Sequence, residues 1–203
     1  DTNLPIPLNG FTTVKARSLD NGIWSALTEA SFTVDAIPAD STNLSIVEIL
    51  YNPIGASADE ALAGFDDGDM FEFLRIQNSG SQNIDLANLR FTAGINFDFT
   101  SSSVRVLAPG GVAIIVANLE AFRFRYGTGF DNFIAGQYSG QLSNGGEQLR
   151  LIGQSDAIIH EFAYGIDALW PVLTTLDGHS IINQNPTAAH GTAAHWQASV
   201  NLG

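Results

Sequence analysis

From Leu44 onward, short apolar or alternating runs recur with Gly, Pro, Asn and Asp between them, the pattern of successive strands rather than helices. Val47, Ile49 and Tyr51 are expected to share one face of the first strand. Residues 71–78 form the next, turned by Asn78-Ser79-Gly80, and residues 84–91 and 95–99 continue the series. Pro109-Gly110-Gly111 marks a tight turn before residues 112–117, whose unbroken apolar character predicts a buried strand. Asn144-Gly145 signals a hairpin ahead of Leu149-Arg150-Leu151, and another strand covers residues 158–164. One segment has helical spacing: over residues 119–126, Leu119, Phe122 and Tyr126 fall on one face. Residues 55–69 are expected to be a long acidic loop. Short strands at regular intervals with one short helix predict an all-β chain built as a sandwich.

Before Leu44 the pattern is sparser. Residues 11–17 alternate, Asp20-Asn21-Gly22 makes a turn, and Phe32 and Val34 alternate again after Trp24. So few apolar anchors do not fold alone. Thr13-Val14-Lys15-Ala16-Arg17, Trp24-Ser25 and Ser31-Phe32-Thr33-Val34 resemble the last strands of a fibronectin-type or other bacterial immunoglobulin-like domain. The expected organisation is therefore a partial domain at 1–36, a linker at 37–43 and a sandwich domain at 44–203. The opening Asp1-Thr2-Asn3-Leu4-Pro5 reads as the interior of a longer protein rather than as a signal peptide.

Composition narrows the function classes. Twenty-one acids against eight bases give a formal charge of −13, and Lys15 is the only lysine. No basic cluster is present to neutralise phosphates, so neither nucleic acid nor an anionic membrane is an expected partner. The apolar run 112–117 is too short to insert in a bilayer. The chain has no cysteine, which excludes disulfides, thiolate metal sites and cysteine nucleophiles. Cations, proteins and neutral glycans remain as partners.

Several segments, in order, resemble the lamin tail domain family in its bacterial form. They are Ser45-Ile46-Val47-Glu48-Ile49-Leu50-Tyr51-Asn52-Pro53, Glu72-Phe73-Leu74-Arg75-Ile76-Gln77-Asn78, Asp85-Leu86-Ala87-Asn88-Leu89-Arg90-Phe91 and Leu107-Ala108-Pro109-Gly110-Gly111. The most specific is Tyr138-Ser139-Gly140-Gln141-Leu142-Ser143-Asn144-Gly145-Gly146-Glu147. Trp170-Pro171, Asp177-Gly178 with Ser180, and Trp196-Gln197-Ala198-Ser199 complete the series. Arg75 departs from the pattern, standing where the family usually has an acid. The resemblance implies an immunoglobulin-like β-sandwich without catalytic residues. It also implies an accessory module of a large exported protein, found outside the cell or at its surface beside other domains.

Three kinds of candidate site follow from the residues. Asp66, Asp67 and Asp69 surround Gly68 and offer hard oxygen ligands, so calcium is the candidate cofactor, with Glu60 and Glu72 as possible additions. The spacing is not that of an EF-hand. Trp170 and Trp196 are expected to cap the core; exposed on one surface with Tyr138 or Tyr164, they would instead form a platform for a glycan. His190 and His195, with His179 and Asp177, offer a weaker zinc set. No nucleophile elbow and no phosphate loop occurs, and His179 and Ser180, being adjacent, point apart in an extended segment. The expected function is a non-catalytic adhesion or interaction module. A carbohydrate-binding module is the alternative, and a hydrolase stands behind both.

Overall fold

The structure, a computed structural model, describes residue 5 and residues 7–8, 12–165, 169–171 and 178–201. The chain divides into two compact units, residues 1–36 and 37–203. In the first, Thr12–Ala16 pairs antiparallel with Thr28–Phe32, and Leu19–Asp20 pairs with Ile23–Trp24. The turn between the latter two puts Asn21 and Gly22 at positive φ, as a tight two-residue hairpin requires. Lys15 pairs with Glu29 across the longer hairpin at 2.7 Å, and the Arg17 guanidinium lies 4.2 Å from the Trp24 ring centre. Leu19, Ile23, Trp24 and Leu27 are all exposed.

The second unit is the predicted all-β sandwich. A six-stranded sheet runs in the order Ile134–Gln137, Val112–Val116, Phe73–Asn78, Leu44–Leu50, Ile181–Asn183, Trp196–Ala198. It is antiparallel except between its first two strands. A five-stranded antiparallel sheet faces it: Ser139–Gly140, Ile95–Asp98, Arg90–Ala93, Glu147–Ile152, Ile158–Tyr164. The space between is filled by Leu44, Ile46, Ile49, Leu74, Ile76 and Ile115 from one side and Phe91, Phe97, Leu149, Leu151, Phe162 and Tyr164 from the other. Leucine, isoleucine and phenylalanine at alternate positions bury ~1.5–3 kcal/mol each, and this is what holds the sheets together.

The chain changes sheets between Gln137 and Ser139. Tyr138 sits at that corner, 4% exposed, with its ring in the core. Gly136 lies just before it because a Cβ there would stand 2.8 Å from the Phe97 ring.

The structure corrects three expectations. Residues 37–43 are not a free linker: Ile37–Pro38 pairs in parallel with Ile84–Asp85, and Asn43 is buried. Asn43 and Asp40 close that turn through side-chain bonds to backbone, so its polar composition reflects turn chemistry. In the first strand the ladder shifts between Ile46 and Glu48, so Val47 is an extra residue on a bulge. Ile46 and Ile49, not Val47 and Ile49, therefore face the core together. Residues 55–69 are not all loop: Ala58–Leu62 is a helix, α1, with a complete capping box between Ser57 and Glu60.

The predicted helix is present as α2, Leu119–Tyr126, capped by Asn118. It lies on the outer face of the six-stranded sheet, where Phe122 packs with Ile114, Val116 and Ile134, and Leu119, Tyr126 and Phe73 close the cluster. α1 is tied to α2 by an ion pair. Arg125 reaches both oxygens of Glu60, at 2.7 and 2.9 Å, with side-chain exposures of only 11% and 8%. Arg125 also donates to the carbonyls of Ile54 and Gly55, and its guanidinium stacks 3.3 Å from the Phe71 ring centre. The Arg125 hydrogen bonds hold the Glu60 carboxyl down at about 2.

Replacing Arg125 with Met would leave Glu60 buried and unpaired. Such a loss costs about 3 kcal/mol or more. Urea unfolding of Arg125→Met is expected to show it, and a midpoint equal to wild type would mean that Glu60 finds water instead. Because the folded-state pKa of Glu60 is depressed, the stability it contributes is present above its ordinary carboxylate range. It is lost as pH falls from there through about 2.

Candidate functional site

Two places in the sandwich gather ionisable side chains. The first lies where the Gly68–Phe71 turn, a short 3-10 helix, meets the Tyr138–Leu142 corner. Asp67 caps the turn, accepting from the Asp69 amide at 3.1 Å. The turn ends at Glu72, which is drawn beneath the corner. Its Oε2 accepts from the Tyr138 hydroxyl at 2.7 Å and the Leu142 amide at 2.9 Å. Glu72 is 1% exposed, and its other oxygen, Oε1, is buried without a hydrogen-bond partner. Burial pushes its carboxyl up to about 8, with Asp69 and Glu147 adding to the shift against the pull of the Leu142 and Tyr138 bonds. Burial, and then Asp67, also raises Asp69 above its usual range, against a bond to Asn144; the Gln141 amide donates to Asp69 as well. A pocket of about 220 Å³ opens here, lined by Asp67, Asp69, Met70, Glu72, Asn118 and Gln141.

The calcium candidates are thus only partly brought together. Asp67 and Asp69 line this pocket; Asp66 is exposed and does not. Glu60 is committed to Arg125. Among the described residues, no three acidic or histidine side chains are arranged to hold a metal ion. A three-aspartate cage at 66, 67 and 69 is not what the loop builds, because Asp67 is turned in to cap its own turn. Glu72, expected only as a possible addition to the aspartates, is the most deeply buried acid of the site. Its position just before a strand of alternating apolar residues was the available signal, since an acid there must be either solvent-facing or specifically satisfied.

The glycan platform is also corrected. Tyr138, Trp170 and Trp196 are 4%, 7% and 3% exposed and belong to the core. The two indoles lie 6.0 Å apart between ring centres, and Trp196 spends its N–H on the His190 carbonyl at 2.8 Å. They close the end of the sandwich and present no ring face to a sugar.

The second gathering is a histidine pair. The His160 and His190 rings lie 3.9 Å apart beside the first strand. The His190 Nε2 accepts from the Ile46 amide at 3.1 Å, which leaves Nδ1 to carry the proton. The His160 Nε2 lies 2.6 Å from the Leu44 carbonyl, so that nitrogen donates. Both rings thereby finish backbone bonds along the strand Leu44–Leu50. The zinc set does not assemble: His179 bonds the Ser199 carbonyl, His195 the Ala189 carbonyl, and Asp177 lies outside the described residues.

Burial, and then the neighbouring His160, push His190 down to about 3. The unfolded chain therefore takes up this proton first as pH falls below the ordinary imidazole range, and the fold loses stability from there toward about 3. The expected loss has a limiting slope of about 1.4 kcal/mol per pH unit. His190→Gln keeps an acceptor for Ile46 and is expected to flatten the slope between about pH 6.5 and 5 in urea titrations. Identical slopes in the two proteins would show that His190 charges within the fold.

The model of the family described as Lamin Tail Domain matches residues 38–165, well over half the chain. That span takes in the acidic pocket, both helices and every strand of the five-stranded sheet. No curated protein and no solved structure matches the chain. The lamin tail domain is a non-catalytic immunoglobulin-like module, and the paired sheets and interleaved core described above are that architecture. The chain belongs to the lamin tail domain family.

Proposed function

We propose that this chain is a non-catalytic interaction module of a larger exported protein, and that it contacts a protein partner through the helical layer on its six-stranded sheet. The observation that carries this reading is the exposure of large apolar side chains on that layer. Leu62 of α1 is 87% exposed and Phe124 of α2 49%, with Phe65 packed 5.5 Å from the Phe124 ring centre. Phe130 and Phe133, in the segment after α2, and Ile54 before α1 are exposed as well. Single exposed apolar residues need no explanation, but several on one small layer mark a contact surface.

The charges of this layer favour one kind of partner. Asp59, Asp66 and Glu120 are exposed, while Arg123 and Arg125 are already paired with Glu120, Asp131 and Glu60. An apolar anchor rimmed by lysine or arginine complements this surface. The exposed Leu19, Ile23 and Trp24 of the N-terminal unit support the idea of neighbouring domains. The lamin-tail resemblance supports an exported setting.

A photo-crosslinking residue placed at position 62 or 124 in the native host is expected to trap one discrete protein with a basic-rimmed apolar contact. The same residue at Gln148, exposed on the five-stranded sheet, is expected to trap none. Equal labelling at all three positions, or none, would sink the reading. Retarded migration in gels containing a panel of polysaccharides would replace a protein partner with a glycan.

A further inference from the structure

We propose that the pocket between the Gly68–Phe71 turn and the Tyr138–Leu142 corner binds calcium, with the carboxylates of Glu72 and Asp69 as its charged ligands, independently of any docking by the helical layer. Two observations carry this. The first is the unpartnered Oε1 of Glu72, a carboxylate oxygen on a residue 1% exposed that lines the pocket. A buried acceptor without a donor is rare in folded proteins and points to an absent partner.

The second is the charge balance. Asp67, Asp69, Glu72 and Glu147 act on one another here, and no arginine or lysine is left to face them. All eight basic side chains are placed elsewhere. Lys15 pairs with Glu29, Arg75 with Glu48, Arg90 with Asp156, Arg123 with Glu120 and Asp131, Arg125 with Glu60, and Arg150 with Glu161. Arg17 lies over Trp24, and Arg105 donates to the Thr100 carbonyl. A fold that gives its other buried acid, Glu60, a bidentate arginine leaves this group without a cation of its own.

The ligand chemistry selects the ion. Only oxygens are offered: the carboxyl groups of Glu72 and Asp69 and the Gln141 side chain. The Gln141 amide donates to Asp69 in the absence of an ion and would present its oxygen after a flip about its last bond. Hard, unevenly spaced oxygen ligands, with water filling the remaining positions, suit calcium. Magnesium demands near-octahedral geometry and gives up its water reluctantly. The site differs from a three-aspartate loop: Asp66 has no part in it, and the deepest ligand comes from the start of a core strand.

The test is thermal unfolding of the whole chain at neutral pH in millimolar calcium, in EGTA and in equimolar magnesium. Calcium is expected to raise Tm over EGTA by about 5 °C or more, and magnesium by far less. Glu72→Gln, which keeps an oxygen for Tyr138 and Leu142, and Asp69→Asn are each expected to abolish the calcium shift. Asp59→Asn, an exposed acid outside the pocket, is expected to retain it. If Glu72→Gln does not fold, Asp69→Asn on its partly exposed position decides the matter. The proposal is overturned by equal Tm in calcium and EGTA, or by a magnesium shift as large as calcium's, which would be screening of the net −13 charge. A shift that survives in Asp69→Asn also overturns it.

Discussion

The structure depends on satisfying the backbone of one buried strand, Leu44–Leu50. Six of its seven residues are fully classed as buried, so each amide and carbonyl along it must find a partner inside the protein. On one edge the strand Phe73–Asn78 supplies a long ladder, interrupted by the bulge at Val47. On the other edge the strand Ile181–Asn183 pairs only at Ile49 and Glu48. The remainder is finished by side chains: His190 takes the Ile46 amide, His160 gives to the Leu44 carbonyl, and Asn183 gives to the Ile46 carbonyl. His190 stays neutral there, because charging it would set a proton against the Ile46 amide. Both rings are structural, and burial is the first cause of their low affinity for protons.

The same logic explains most buried polar groups here. Asn78 joins the Gln82 and Leu107 carbonyls to the Gly80 amide, and Tyr164 and Glu147 close the loop at Ser143. Bulges, corners and turns interrupt ladders, and polar side chains restore the lost bonds. Glu72 begins in that role, holding the Leu142 amide and the Tyr138 hydroxyl at the corner where the chain changes sheets. It ends differently, since one of its oxygens is left over, and a neutral glutamine would serve the corner equally well.

The strand pattern was legible because each core strand declares itself by local periodicity, and α2 by its three-residue face. The bulge at Val47 was not, because one extra residue in a run of apolar side chains leaves no mark on composition. α1 carried a signal in Ser57 and Glu60, the ends of a capping box, but acidic composition around it suggested loop. The tryptophans were legible as core or as platform, and only packing decides between these, because the same amphipathic rings serve both. The acidic pocket was legible in part. Asp67, Asp69 and Glu72 stand on one short turn in the sequence, but their link to Tyr138 and Gln141 depends on a long-range contact between the turn and the corner, which no local pattern encodes.

The two longest connections of the sandwich, 51–72 and 117–133, end up side by side, and the Glu60–Arg125 pair is what fixes them there. A buried ion pair contributes little net stability compared with two apolar side chains of the same size, because desolvation offsets the attraction. What it supplies is register: the bidentate fork, the two carbonyls of Ile54 and Gly55 and the Phe71 ring admit one placement of α1 against α2. On the proposed reading, that placement has a use. It holds Leu62, Phe65 and Phe124 in a fixed array on a layer with its own small core of Ile114, Val116, Phe122 and Ile134. A preorganised apolar array loses less conformational freedom on binding than a loose loop does. The charged pair thus sets the shape of the surface, and the aromatic side chains above it provide the contact.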